Sequence, residues 1–178
     1  MIRVHPMAGR PTGYYGVPQD VGATGNTWPI RYGGSTGYVG CFGMTRTDRD
    51  GNRTMHRGTD YLGEMGQPIY APFDGKVTRS YRSDSFGVVI YIASTEFKVV
   101  DKTMTILAHL GCAFVAVNDE VEAGDVIGLL GRSGYRSQSI PTHLHIEIRL
   151  GGEGRPDAVD PELWLQGLAT TFAREIET

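Results

Sequence analysis

The run Pro141-Thr142-His143-Leu144-His145-Ile146-Glu147-Ile148-Arg149-Leu150 divides its chemistry between two faces. Successive side chains of an extended strand point to opposite sides, so His143, His145, Glu147 and Arg149 share one face and Leu144, Ile146, Ile148 and Leu150 the other. A core takes the apolar face. The polar face is left with two imidazoles close enough to serve one ion and one reacting group together. Glu147, on that face, could orient a ligand imidazole or simply be a solvated or salt-bridged strand carboxylate.

Candidate partners lie upstream. His56-Arg57-Gly58-Thr59-Asp60 places an imidazole and a carboxylate four residues apart. Gly58 and Thr59 are poor helix formers, so a bent, extended segment is expected to bring His56 and Asp60 to a common point. With one histidine of the downstream strand they make a set of two imidazoles and one carboxylate. Three protein ligands leave the fourth tetrahedral position of Zn²⁺ open, as a catalytic site requires, and nitrogen and oxygen donors suit that ion. His109 sits in Ile106-Leu107-Ala108-His109-Leu110, where alternation puts Met104, Ile106, Ala108 and Leu110 on one face and Thr105, Leu107 and His109 on the other. Alone it reads as a half-buried, hydrogen-bonded histidine. Yet four of the five histidines fall in three short motifs that could converge, while His5 reads as solvated.

These residues need a scaffold. The chain of 178 residues, 40% hydrophobic and 21% charged with a net charge of −3, has the composition of one ordinary globular domain. It carries no polybasic patch of the kind that binds nucleic acid and no apolar run near the roughly 18 residues needed to span a bilayer. No basic-then-apolar leader follows Met1, so export by the usual route is not expected of the chain as given. Gly at 25 residues, about twice the usual frequency, and short candidate strands favour a turn-rich β protein. Cys41 and Cys112 are too few for a disulfide framework or a thiolate zinc site and read as small buried residues, with mutual pairing as the alternative.

Residues 1–27 lack periodicity and read as an irregular arm that wraps the domain or meets a partner; residues 28–178 form the domain itself. Strands are expected at 68–72, 76–78, 88–92, 104–110, 114–117 and 143–150, with Val39 to Gly43 a first strand or bend, Asp48 to Asn52 a turn and Val126 to Leu130 a strand buried on both faces. The tail holds a helix: Asp160 is its N-cap, Pro161 its first residue, and Leu165, Leu168, Phe172 and Ile176 its packing stripe.

Taken together, His56-x-x-x-Asp60, Ala108-His109-Leu110 and His143-x-His145 resemble the lysostaphin/LytM-type zinc metallopeptidases of family M23, which cleave peptide cross-links in bacterial peptidoglycan. Gly66 to Val77, Gly124 to Gly128 and Val159-Asp160-Pro161 resemble further segments of that family, so the similarity runs from about Trp28 to Trp164. The resemblance implies a mainly β fold, an antiparallel sheet or open-sandwich core with the N-terminal arm and one C-terminal helix added. It implies Zn²⁺ held by His56, Asp60 and His145, with His109 and His143 the two unliganded histidines that act on the water and the reacting carbonyl. No His-Glu-x-x-His helix is present, so histidine is the better candidate for the base.

Two features depart from the family pattern. The loop Arg132 to Ile140 is longer than the short form and is followed by Pro141-Thr142 rather than Gly-Pro, and Leu107 stands where an aromatic is common. Both bear on specificity. The expected substrate is peptidoglycan, at D-Ala-diaminopimelate links rather than glycine bridges. The expected setting is the bacterial cell wall, reached by a monomeric phage lysin or virion-associated enzyme whose N-terminal arm contacts the virion. An inactive peptidoglycan-binding or structural relative is the competing reading.

Overall fold

The computed structural model describes residues 40–94, 103–134, 141–151 and 158–165. The N-terminal arm, His5, Tyr135 to Ile140 and the helical stripe beyond Leu165 lie outside them. The described strands are β1 (Gly43–Thr47), β2 (Arg53–His56), β3 (Thr59–Leu62), β4 (Pro68–Tyr70), β5 (Gly75–Ser83), β6 (Gly87–Ser94), β7 (Met104–Ala113), β8 (Glu120–Val121), β9 (Val126–Leu130), β10 (His143–Arg149) and β11 (Ala158–Val159). One helical segment, α1 (Pro161–Leu165), follows. β1 and β2 form a hairpin of their own. The other strands make a sheet ordered β11-β10-β7-β6-β5-β8, in which β3 pairs with β10 and β9 bridges β7 and β4. All pairings are antiparallel. The expected mainly β architecture is what forms.

Turn chemistry joins these strands. Asp48 Oδ1 accepts from the backbone N–H of Asp50 at 2.9 Å and of Asn52 at 2.8 Å, closing the β1–β2 hairpin at the expected turn. At the start of α1, Asp160 Oδ1 accepts from Glu162 N at 2.9 Å, the predicted N-cap. That single turn buries Trp164 and Leu165 in the main core, where the Trp164 ring meets Phe73 edge-on at 5.5 Å between centroids. Such a contact adds about 0.5–1.5 kcal/mol to its area burial.

β10 is the central strand, and it is buried on both faces. Leu144, Ile146 and Ile148 are fully enclosed in a core shared with Tyr61, Ile90, Ile92, Leu107 and Leu110. His143, His145, Glu147 and Arg149 point the other way and are also buried. On that side a smaller cluster of Val89, Tyr91, Met104, Ile106 and Ala108 covers the neighbouring strands.

Several expectations are corrected here. Of the strand or bend expected at 39–43, Gly40 to Phe42 turn and the first described strand starts at Gly43, Val39 lying outside the described residues. Residues 114–117 are not a strand: β7 continues to Ala113, and Phe114 and Val117 stand exposed next to the turn at Asn118. Val126 is exposed while Ile127 and Leu130 are buried, so β9 is covered on one side at its start and not on both. β5, expected to be three residues, extends to Ser83 through polar residues that carry no apolar alternation. Cys41 and Cys112 are partly exposed and not bridged.

Gly58 sits at the bend between β2 and β3. A Cβ there would meet the carbonyl oxygen of Ile146 and stand 2.7 Å from His145 Cε1, closer than side-chain atoms tolerate. The absence of a side chain is what lets β3 lie against β10 at this point. Replacing Gly58 by Ala should therefore cost about 1–3 kcal/mol, read as a lower urea midpoint at unchanged slope, because either the backbone or the His145 ring must move.

Candidate metal centre

The pairing of β3 with β10 sets Asp60 directly opposite His145. Directly opposed residues project to the same side of a sheet, so the carboxylate and the imidazole meet: Asp60 Oδ1 lies 2.7 Å from His145 Nδ1. His56 closes β2, and the chain then bends through Arg57 and Gly58 into β3, the extended bend expected from sequence. This returns His56 Nε2 to within 3.2 Å of His145 Nδ1 and 3.4 Å of Asp60 Oδ1. The segment before β1 holds both elements, since Gly40 O accepts from Asp60 N at 2.8 Å and Cys41 O faces His56 Nδ1 at 2.9 Å.

A carbonyl can only accept, so His56 carries its proton on Nδ1 and turns the Nε2 lone pair inward. The donor atoms of His56, Asp60 and His145 all lie within 4.8 Å of one another, and the three residues are buried. A guanidinium tests the fit to a cation: Arg46 Nη2 lies 2.8 Å from His56 Nε2 and 2.6 Å from Asp60 Oδ2. A lone pair and a carboxylate oxygen of the set therefore already receive positive charge. Two nitrogens and an oxygen with no thiolate suit zinc.

The two other histidines converge on this group. The His109 ring lies 4.7 Å from that of His143 and 6.0 Å from that of His145, between centroids. Leu107 lies in the main core, so strict alternation along β7 would have turned His109 toward it as well. Instead Ala108 pairs with His145, so Met104, Ile106 and Ala108 share the face of the metal centre, and an irregularity between Leu107 and Leu110 reverses the phase of the strand. The reversal occurs at His109, whose φ is 66°, a left-handed conformation costing a non-glycine residue about 1–3 kcal/mol. Its backbone leaves the regular ladder to bond Phe86 O and Gly131 N. The bulge thus re-aims a side chain that the simple pattern assigns to the core.

Carbonyls fix the tautomers of this second pair as well. His109 Nδ1 donates to Ser133 O at 2.9 Å and His143 Nδ1 to Pro141 O at 2.9 Å, leaving each Nε2 as an acceptor. Ser133 is the local fastener. Its hydroxyl donates to Leu110 O at 2.5 Å and accepts from Val88 N at 2.8 Å, holding the loop after β9 against the bulge. Phe86 stacks on His145 at 5.6 Å between centroids.

Electrostatics separate the imidazoles. Burial drives down the pKa of His56, His143 and His109, the last to about 4 with help from the neighbouring imidazoles. Burial opposes charge on His145 too, but hydrogen bonds to Asp60 and Glu147 outweigh it and raise the pKa to about 9. Asp60, although desolvated, is held well below the ordinary carboxylate range, chiefly by its hydrogen bond from His145. Glu147, of ambiguous role in the sequence, is buried: its Oε1 lies 3.2 Å from His145 Nε2 and its Oε2 accepts from Arg149.

All five residues singled out by pattern, His56, Asp60, His109, His143 and His145, are therefore brought together. Sequence reasoning missed Arg46, Ser133 and Phe86. Ser133 and Phe86 act through backbone groups or ring faces, which no spacing rule encodes, and nothing in the sequence distinguishes Arg46 from Arg49 or Arg53 beside it.

Comparison with known proteins agrees with the geometry. DD-carboxypeptidase/endopeptidase Mpg of Neisseria meningitidis serogroup B is 33% identical over 99 residues, 56% of this chain and 21% of the relative. Peptidoglycan DD-endopeptidase ShyC of Vibrio cholerae is 33% identical over 102 residues, 57% of this chain and 22% of the relative. The chain thus spans about a fifth of the length of these curated relatives. The crystallised catalytic domain of lysostaphin from Staphylococcus simulans superposes with a TM-score of 0.60 at 28% identity, covering 71% of this chain and 89% of that domain. Residues 54–161, which hold all five residues of the centre, match peptidase family M23, and the chain belongs to that family.

Proposed function

We propose that this chain is a zinc-dependent endopeptidase that hydrolyses peptide cross-links of bacterial peptidoglycan and so acts at the cell wall. One observation carries the reading: a buried His56, Asp60 and His145 set adjoins two further imidazoles whose Nε2 atoms are held as acceptors. Zinc, when bound by those three residues, polarises a scissile carbonyl and acidifies water. His109 and His143 supply the proton chemistry. With Nδ1 engaged by a carbonyl, each can accept a proton only at Nε2, and each stays neutral at pH 7 because burial disfavours its charged form. One takes the proton from the attacking water. The resulting imidazolium then returns it to the departing amine, while the other, its Nε2 also an acceptor, can hold the second O–H of the attacking water. A five-residue set with fixed tautomers supports activity rather than a binding role alone.

The D-alanyl-diaminopimelyl cross-link is the proposed bond. The names of DD-carboxypeptidase/endopeptidase Mpg and peptidoglycan DD-endopeptidase ShyC support a D,D bond of this kind.

Asp60→Ala and His145→Ala should lose zinc and turnover together, measured by metal content and release of wall fragments. His109→Ala and His143→Ala should retain one zinc per chain and lose turnover by about 10²–10⁴-fold. Cleavage at the parent's rate by His109→Ala would remove it from the mechanism. Mass spectrometry of peptidoglycan digested by the full chain should show new D-alanine carboxyl ends that disappear with a chelator and return with zinc. Zinc binding with no fragments released would instead mark a non-catalytic relative.

A further inference from the structure

Behind His145 lies a charge pair that none of these proton transfers uses. Glu147 and Arg149 are 4% and 5% exposed, although their carboxylate and guanidinium would be better solvated in water. Across the sheet, Glu147 stands opposite Ile106, Arg149 opposite Met104, and Ile106 is in turn opposite Tyr91. The pair is thus walled by apolar and aromatic side chains, where desolvation costs several kcal/mol per ion on the order expected for buried charges. Hydrophobic residues of similar volume would fill the same space at no such cost, so stability does not explain the pair.

Its geometry divides the two carboxylate oxygens. Oε2 accepts from Arg149 Nε at 2.9 Å and also from Nη2, while Oε1 faces His145 Nε2 at 3.2 Å. A carboxylate that accepts from Nε2–H fixes the proton there. The other ring nitrogen, Nδ1, is the one that faces Asp60 and His56. β10 alternation makes this a line: Arg149, Glu147 and His145 follow one another at every second residue on one face, ending at the metal centre.

We propose that Glu147 and Arg149 are positioning residues for zinc: Arg149 holds the Glu147 carboxylate in place, and Glu147 holds the Nε2–H tautomer of His145 so that Nδ1 is the ligating atom. This rests on the assignment of His145 as a ligand made above. Carboxylates that orient a ligating imidazole in this way contribute about 10–100-fold to metal affinity.

The test measures zinc affinity of the full chain, stripped and then titrated against a chromophoric chelator. Two double variants keep the packing and remove the buried charges together, so neither leaves an unpaired ion. Glu147→Leu with Arg149→Met should bind zinc about 10–100-fold more weakly than the parent, with its urea midpoint in chelator unchanged or raised. Glu147→Gln with Arg149→Met should recover much of that affinity, because an amide oxygen still accepts from Nε2–H. Affinity of the Leu/Met variant within about twofold of the parent would overturn the proposal, as would equal losses in the two variants. A parent that binds no zinc would instead overturn the ligand assignment itself.

Discussion

The cross-strand pair of Asp60 and His145 is the constraint on which the rest of the centre depends. It exists because β3 and β10 adopt one register, and that register is held by apolar side chains on the opposite face. A slip of one residue would turn Leu144, Ile146 and Ile148 out of the core and drive His145 into it. Burying side chains of this size is worth about 1.5–3 kcal/mol each, so the core outweighs any local preference of the polar residues. The site is assembled by hydrophobic packing that touches none of its functional atoms.

Once assembled, the polar face resolves its own electrostatics. A carboxylate as deeply buried as Asp60 is tolerable only with positive charge or hydrogen-bond donors on both oxygens. Oδ1 has the two imidazoles and Oδ2 has Arg46. Hydrogen bonds to two carboxylates make His145 cationic against its burial, while burial keeps His109 and His143 neutral, no carboxylate among the described residues being hydrogen-bonded to either. One low-dielectric cleft thereby gives four histidines different charge states. Backbone carbonyls at Cys41, Pro141 and Ser133 choose which nitrogen of His56, His143 and His109 is the donor.

His109 is where local regularity gives way to the site. A strand that kept its alternation would bury this imidazole beside Leu107, an unfavourable place for a titratable ring. The chain instead takes a left-handed residue and loses regular ladder bonds, then recovers them through Phe86, Gly131 and Ser133. The neighbours make this possible: Gly87 and Gly134 approach Ser133 and Phe86 so closely that a side chain at either would collide. Strain at a residue of the centre, supported by close packing around it, is the usual relation between stability and a positioned reactive group.

The identities of the centre were legible in sequence because they rest on short-range facts. Period-two alternation placed His143, His145, Glu147 and Arg149 on one face, helix-breaking residues kept His56-Arg57-Gly58-Thr59-Asp60 extended, and Asp48 and Asp160 marked a turn and a cap. Most strands and a set of His56, Asp60 and one β10 histidine followed from these, while the choice of His145 and the roles of His109 and His143 came from the resemblance to family M23. What alternation could not supply was any feature that depends on contact between distant segments: the phase reversal at His109, the length of β5, the one-sided burial of β9 at Val126, and the burial of Glu147 with Arg149. Periodicity says which side chains share a face, but which face is covered, and where a strand must bulge, is decided by the partner strands that pack against it. Arg46 belongs with these, since only the tertiary approach of the β1–β2 hairpin distinguishes one surface arginine from another at the mouth of a buried carboxylate.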